Sequence, residues 1–154
     1  MTENGNWFDE IAIPALLRAA RSTYGKAIRE SLQVAGFDDI PRNGAFVISG
    51  IARSGAPLAD VVKGLGSSKQ AVGQLVDTLV ARGYLDRAVD PDDRRRLTVT
   101  LTDRGLAAAQ AIRSAVDDVD TVLLADVGTE HIAHTRATLA ALIAAGDRDH
   151  HDSD

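Results

Sequence analysis

Two clusters of side chains in this sequence can hydrogen-bond and ion-pair with a polyanion. The first is Ser67, Ser68, Lys69, Gln70 and Gln74. Glutamine can pair bidentately with adenine, serine can contact any base, and lysine reaches guanine or phosphate. Gly73 stands among them and leaves room for close approach. The second cluster is Asp93, Arg94, Arg95 and Arg96, preceded by Asp92. Guanidinium groups suit phosphate and a narrow minor groove, and an adjacent carboxylate can hold one in a single rotamer. The chain has no cysteine, which removes disulfides, iron–sulfur clusters and thiol catalysis together. It shows no Ser-His-Asp arrangement and no nucleophile elbow.

Those clusters need elements to position them. Apolar residues at Ile11, Ala15, Leu16, Ala19, Ala20, Tyr24, Ala27, Ile28 and Leu32 follow a helical period, with Pro14 in the first turn and Gly36 as the stop. Pro41 is expected to open a second helix, with Asp38 and Asp39 favouring its N-terminus. The run Ala45, Phe46, Val47, Ile48, Ile51 and Ala52 is dense enough to be buried on most sides, and Ser54-Gly55 ends it. A short third helix runs from Pro57 to Lys63 and is closed by Gly64 and Gly66. Ser67 and Gln70 have capping-box spacing before a helix to about Arg82, whose inner face is Val72, Leu75, Val76, Leu79 and Val80. The period then shortens: Tyr84–Val89 and Leu97–Leu101 read as two strands joined by a charged turn. Thr102-Asp103 caps a long helix striped by Leu106, Ala109, Ile112, Val116, Val119 and Leu123. Gly128-Thr129 breaks it, and a last helix striped by Ile132, Leu139, Leu142 and Ile143 ends at Gly146.

A short helix, a glycine-bearing turn and a capped helix followed by a hairpin are the grammar of a winged helix-turn-helix. The fold class expected is mainly α with a small β-hairpin wing, flanked by N- and C-terminal dimerisation helices. Residues 1–40 then hold the N-terminal helix, 41–102 the winged helix-turn-helix, 103–146 the C-terminal dimerisation helices and 147–154 a disordered tail. The 154 residues carry a net charge of −5, which taken alone argues against a nucleic-acid partner. The charge is uneven: residues 42–104 hold 10 Lys/Arg and 7 Asp/Glu, a net of +3, and the remainder holds 7 and 15, a net of −8. The local field decides contact, so an acidic protein with this middle can bind DNA. The opening MTENGNWFDE has neither a basic nor an apolar leader pattern, and the longest apolar run, Leu139–Ala145, is too short for a membrane span. A cytoplasmic setting is expected.

The same residues admit other readings. Gly64-Leu-Gly-Ser-Ser-Lys69 imitates a phosphate-binding loop, but Gln70 stands where Ser or Thr is required and a helix precedes it. His131 and His134, even with His150 and His151, lack a carboxylate partner pattern, so neither metal nor cofactor is expected. Asp117, Asp118 and Asp120 read as a solvated helix face. Trp7, Tyr24 and Phe46 are candidates for the wall of a ligand pocket, Trp7 and Tyr24 because each joins apolar area to a donor; for Phe46 core packing is the stronger expectation.

The run Leu58-Ala-Asp-Val, Gly66-Ser-Ser-Lys-Gln-Ala-Val, Leu79-Val-Ala-Arg-Gly-Tyr-Leu, Asp90-Pro-Asp-Asp-Arg-Arg and Leu101-Thr-Asp-Arg-Gly105 resembles the MarR family of bacterial regulators, over roughly residues 10–146. The resemblance implies a homodimer with interlocked outer helices, a pseudo-palindromic operator of double-stranded DNA, and repression that a small effector relieves. It implies no catalysis, and it maps the family's Asp-x-Arg wing element onto Asp93 and Arg95. The thiol sensors of that family need a cysteine near the first helix, which this chain lacks. The alternative is a winged-helix module that binds protein and not DNA.

Overall fold

The structure is a computed structural model that describes residues 7–54, 58–95 and 97–149. Helix α1 spans Ile13–Val34, α2 Gly44–Ser54 and α3 Leu58–Val62, with a single 3-10 turn at Lys63–Leu65. Helix α4 spans Lys69–Ala81, strands β1 and β2 span Leu85–Val89 and Leu97–Leu101, and α5 spans Asp103–Asp149. The chain divides into two compact units, residues 1–116 and 117–154. No helix among the described residues is long and apolar enough to cross a membrane.

In the first unit the core gathers one to three buried residues from each helix. Val47, Ile48 and Ile51 of α2 meet Val76 and Leu79 of α4, together with Leu32 of α1 and Val61 of α3. Ala108, Ala109 and Ile112 close the cluster from α5, and their small side chains let that helix lie near its neighbours. Ser31 Oγ donates to the Ala111 carbonyl at 2.9 Å, so α1 is also tied to α5 by a polar contact.

Helices α1 and α4 end in the same way. Gly36 and Gly83 take φ of 83° and 77°, which a Cβ disfavours. In each case the next amide turns back to the helix: Phe37 N–H reaches Leu32 O at 2.8 Å, and Tyr84 N–H reaches Leu79 O at 2.9 Å. These are Schellman caps. Each carries an aromatic residue out of a helix and into the core, and the two rings meet edge to face with centroids 6.1 Å apart.

The structure departs from the sequence reading at several places. Helix α2 begins at Gly44 and not at Pro41: Gly44 N–H closes a turn onto Pro41 O at 2.8 Å, with Asn43 at φ 66°. Phe46 and Ala52 are exposed and not core, because the inward side of α2 belongs to Val47, Ile48 and Ile51. Leu106 is exposed for the same reason, since Gly105, Ala108 and Ala109 face inward on α5. The expected break at Gly128 and the helix after it are present, with φ 79° and ψ 168° at the glycine, but that helix runs past Gly146 to Asp149. Gly55 and Pro57, read as helix boundaries, lie outside the described residues.

Gly105 packs against backbone. A Cβ there would stand 2.1 Å from the Tyr84 carbonyl oxygen, whereas at Gly73 it would meet nothing within 4 Å. Gly105→Ala is therefore expected to destabilise the protein by about 1–3 kcal/mol, the clash outweighing any gain in helix propensity. Gly73→Ala is expected to add up to about 1 kcal/mol. Urea unfolding of both variants checks this, and equal stabilities would contradict the packing at Tyr84.

Candidate nucleic-acid interface

Helix α4 presents the first cluster. Its cap is Ser68 and not Ser67: Ser68 is extended, with φ −63° and ψ 156°, and its Oγ accepts from the Ala71 amide at 3.2 Å. Left-handed Gly66 (φ 59°) delays the helix by one residue, so Gln70 stands one position too early to complete the capping box. Ser67 Oγ instead donates to Leu65 O at 3.4 Å. Gln70 is thereby released from capping. Ser67, Ser68, Lys69, Gln70, Gly73 and Gln74 are all exposed, while Val76 and Leu79 anchor the opposite face. A shallow depression of about 260 Å³ lies beside the cap, lined by Val62, Lys63, Gly66, Ser67, Lys69 and Val72.

The wing presents the second cluster. β1 and β2 pair antiparallel with Leu85 opposite Leu101, Arg87 opposite Val99 and Val89 opposite Leu97. These residues share one face of the ribbon. Leu85 is buried and Val89 is 56% exposed, so the ribbon leaves the core as it extends. Two aspartates shape its tip. Asp90 Oδ1 accepts the Asp92 amide at 2.9 Å, and Asp93 Oδ1 accepts the Arg95 amide at 3.0 Å. Both are side-chain-to-backbone turns of the kind aspartate favours. Asp93 thus organises the backbone of Arg95, not its guanidinium; among the described residues no ion pair joins the two side chains. Arg94 and Arg95 are exposed. Arg96 lies outside the described residues.

Two contacts that position these clusters were missed in the sequence. The first is an ion pair from Arg87 Nη2 of β1 to Asp77 Oδ1 of α4. Its one signal was that Arg87 occupies a core-face position in a Leu-x-Arg-x-Val alternation. The second is at the wing root. Tyr84 Oη donates to Asp39 Oδ1, and Arg104 Nη2 lies 3.0 Å from both that carboxylate oxygen and Tyr84 Oη. Arg104 also stacks over the Tyr84 ring at 4.6 Å and the Phe37 ring at 5.6 Å. Arg82 donates to the Asp39 carbonyl from the end of α4. Asp39 is therefore not a helix N-terminal charge; it joins α1's exit, the wing root and the start of α5. Thr102 Oγ1 reinforces the junction, donating to Gly83 O at 2.5 Å and accepting the Gly105 amide at 3.0 Å.

The three candidate pocket residues are not drawn into that cluster. Trp7 is 74% exposed and meets Phe8 edge to face at 5.7 Å. Tyr24 is half-buried on α1, and Phe46 is exposed on α2. None of the three lines the depression beside α4. His131 and His134 are exposed on α5.

The sequence profile of the MarR family matches residues 38–96. Among solved structures, the S. aureus MepR–DNA complex superposes with a TM-score of 0.69 at 21% identity, covering 88% of this chain and 99% of that one. MepR of S. aureus in its DNA-binding conformation gives 0.73 at 20% identity, covering 87% and 98%. A transcriptional regulator from Thermotoga maritima gives 0.54 at 24%, covering 88% and 94%. No curated protein matches the chain.

The wing root titrates. The hydrogen bond from Tyr84, aided by Arg104, holds the Asp39 carboxyl below its ordinary value although partial burial opposes this. Burial, and then the neighbouring Asp39, pushes the Tyr84 hydroxyl above its ordinary value. Unfolded aspartate titrates at about 3.9, so below that pH the unfolded chain takes the proton first and stability falls as pH drops. Unfolded tyrosine titrates at about 10, so above that pH the unfolded chain loses its proton first and stability falls as pH rises. Between about pH 5 and 9 neither contribution changes. Thermal melts across pH 3–10.5 are expected to show a shallower acid limb for Asp39→Asn and a shallower alkaline limb for Tyr84→Phe. Limbs parallel to those of the unaltered protein would contradict the assignment.

Proposed function

We propose that this chain, whose residues 38–96 match the MarR family, is a sequence-specific DNA-binding transcriptional regulator that works as a homodimer on a pseudo-palindromic operator. The observation that carries this reading is the pairing of an exposed Gln70/Gln74 face with an arginine-tipped ribbon on one braced scaffold. In this reading α4 enters the major groove through Ser67, Ser68, Lys69, Gln70 and Gln74. The wing carries Asp93, Arg94, Arg95 and Arg96 to the minor groove. The DNA-bound form of MepR, similar over 88% of this chain, supports duplex DNA as the ligand. The protein acts by binding and not by catalysis.

Dimerisation is proposed through residues 1–40 and 103–146, leaving residues 41–102 for DNA. Large apolar side chains stay exposed on both flanks: Phe8, Ile13 and Leu17 near the start, and Val122, Leu123, Leu142 and Ile143 on α5. A second copy is the partner that covers them, and it places two α4 helices about one turn of DNA apart, ~34–36 Å. Repression relieved by a small effector follows from the same family reading, with Trp7, Tyr24 and Phe46 proposed for the pocket wall. Light scattering at micromolar concentration is expected to give a dimer; a clean monomer would remove the two-site contact.

Selection of bound duplexes from a random pool, followed by salt titration, tests the function. A selected sequence bound well above random DNA, with a steep negative salt slope, is the expected result. Recovery of no preferred sequence would favour a protein-binding module. Gln70→Ala and Gln74→Ala are each expected to cost ~1–3 kcal/mol on the selected duplex and little on random DNA. Since Ser68 caps α4, Gln70→Ala leaves the cap intact. Arg95→Ala is expected to reduce the salt slope by roughly 2 in a dimer. Asp93→Ala removes the acceptor for the Arg95 amide and is expected to weaken binding. Asp93→Asn keeps an acceptor, sheds a negative charge, and is expected to bind at least as tightly as the parent. Tighter binding by both variants would show that the tip works by charge alone.

A further inference from the structure

We infer that Arg87 and Asp77 form a brace that sets the wing against α4 and masks an acidic charge on the DNA-facing side. This inference rests on the DNA-binding reading above, since both braced elements carry its proposed contacts. Asp77 follows Gln70 and Gln74 at helical spacings of seven and three, so it lies on the same stripe of α4 as the two glutamines. A carboxylate unpaired on that stripe repels phosphate. Arg87 sits mid-strand in β1 between buried Leu85 and exposed Val89, where the ribbon passes from the core into solvent. Its guanidinium reaches Asp77 Oδ1. Among the described residues this is the one side-chain hydrogen bond between the ribbon and α4. Arg87 is thus a positioning residue: it neutralises Asp77 and fixes the angle at which the tip leaves α4.

The two roles separate by sign. If Asp77 is only a nearby negative charge, Asp77→Asn binds DNA more tightly. If the brace positions the wing, Asp77→Asn binds about threefold or more weakly despite losing a repulsive charge, because the ribbon must be ordered on binding. Geometry can be read independently of DNA. The chain has no cysteine, so Ala81→Cys and Asp92→Cys accept nitroxide labels at those positions alone. With labelled protein diluted into unlabelled, pulsed electron resonance reports the helix-to-tip distance within one chain. A narrow distribution is expected in the parent, a broader one in Asp77→Asn and in Arg87→Gln, and a narrow one again in the charge-reversed pair Asp77→Arg with Arg87→Asp. Unchanged distributions in the single variants would overturn the brace, whether or not the protein binds DNA. Tighter DNA binding by Asp77→Asn would overturn its role in positioning. Failure of the parent to bind any duplex would overturn the DNA reading, and the distance distributions would then decide the brace alone.

Discussion

The wing of this protein depends on one oxygen. Asp39 Oδ1 receives both the Tyr84 hydroxyl and the Arg104 guanidinium, and those three residues come from the exit of α1, the root of β1 and the first turn of α5. Tyr84 is fully buried, so its hydroxyl needs a partner, and water cannot serve in the interior without space. Asp39 supplies that partner from the rim, and Arg104 balances its charge while covering two aromatic faces. The ring is delivered there by a left-handed glycine, and Gly105 lets α5 press against the same backbone. Remove the hydroxyl or the carboxylate, or add a Cβ at Gly105, and the packing at the ribbon's root is disturbed.

Much of this architecture was legible in the sequence because its signals are local. Helical periodicity marked α1 and α4, left-handed glycines marked where both stop, and alternation marked the hairpin. The failures came where two local signals competed. Two adjacent serines could each cap α4, and Gly66 decided for the second. Pro41 looked like a helix start, but Asn43 carried the turn two residues later. Phe46 looked like core by its type, yet orientation on α2 turned it outward. The contacts that organise the site were invisible for a different reason. Asp39, Tyr84 and Arg104 are separated by 45 and 20 residues, and nothing in a linear pattern pairs them. The exposed candidates at the tip and on α4 were legible by composition; the braces that hold them were not.

The electrostatics of the chain follow from the same organisation. A net charge of −5 would keep a uniform sphere away from a polyanion. In this sequence the acidic excess lies outside residues 42–104, and that middle segment is net positive. Within it, several carboxylates are already occupied, Asp77 by Arg87 and Asp90 and Asp93 by backbone amides at the tip, and just before it Asp39 is held by Tyr84 and Arg104. Their negative charge is partly spent internally, while Lys69, Arg94 and Arg95 stand exposed.

A two-stranded ribbon has two open edges, and each is a row of backbone donors and acceptors able to add a strand from another molecule. Shortness and charge guard against that. Each strand is five residues long, Asp86 and Arg87 interrupt β1, and the tip is almost entirely aspartate and arginine. The charged residues proposed to meet DNA are therefore also the wing's protection against self-association. A more apolar wing would gain contact area on a partner and lose colloidal stability at the same time, so the affinity of this surface is bounded from above by the solubility of the protein that carries it.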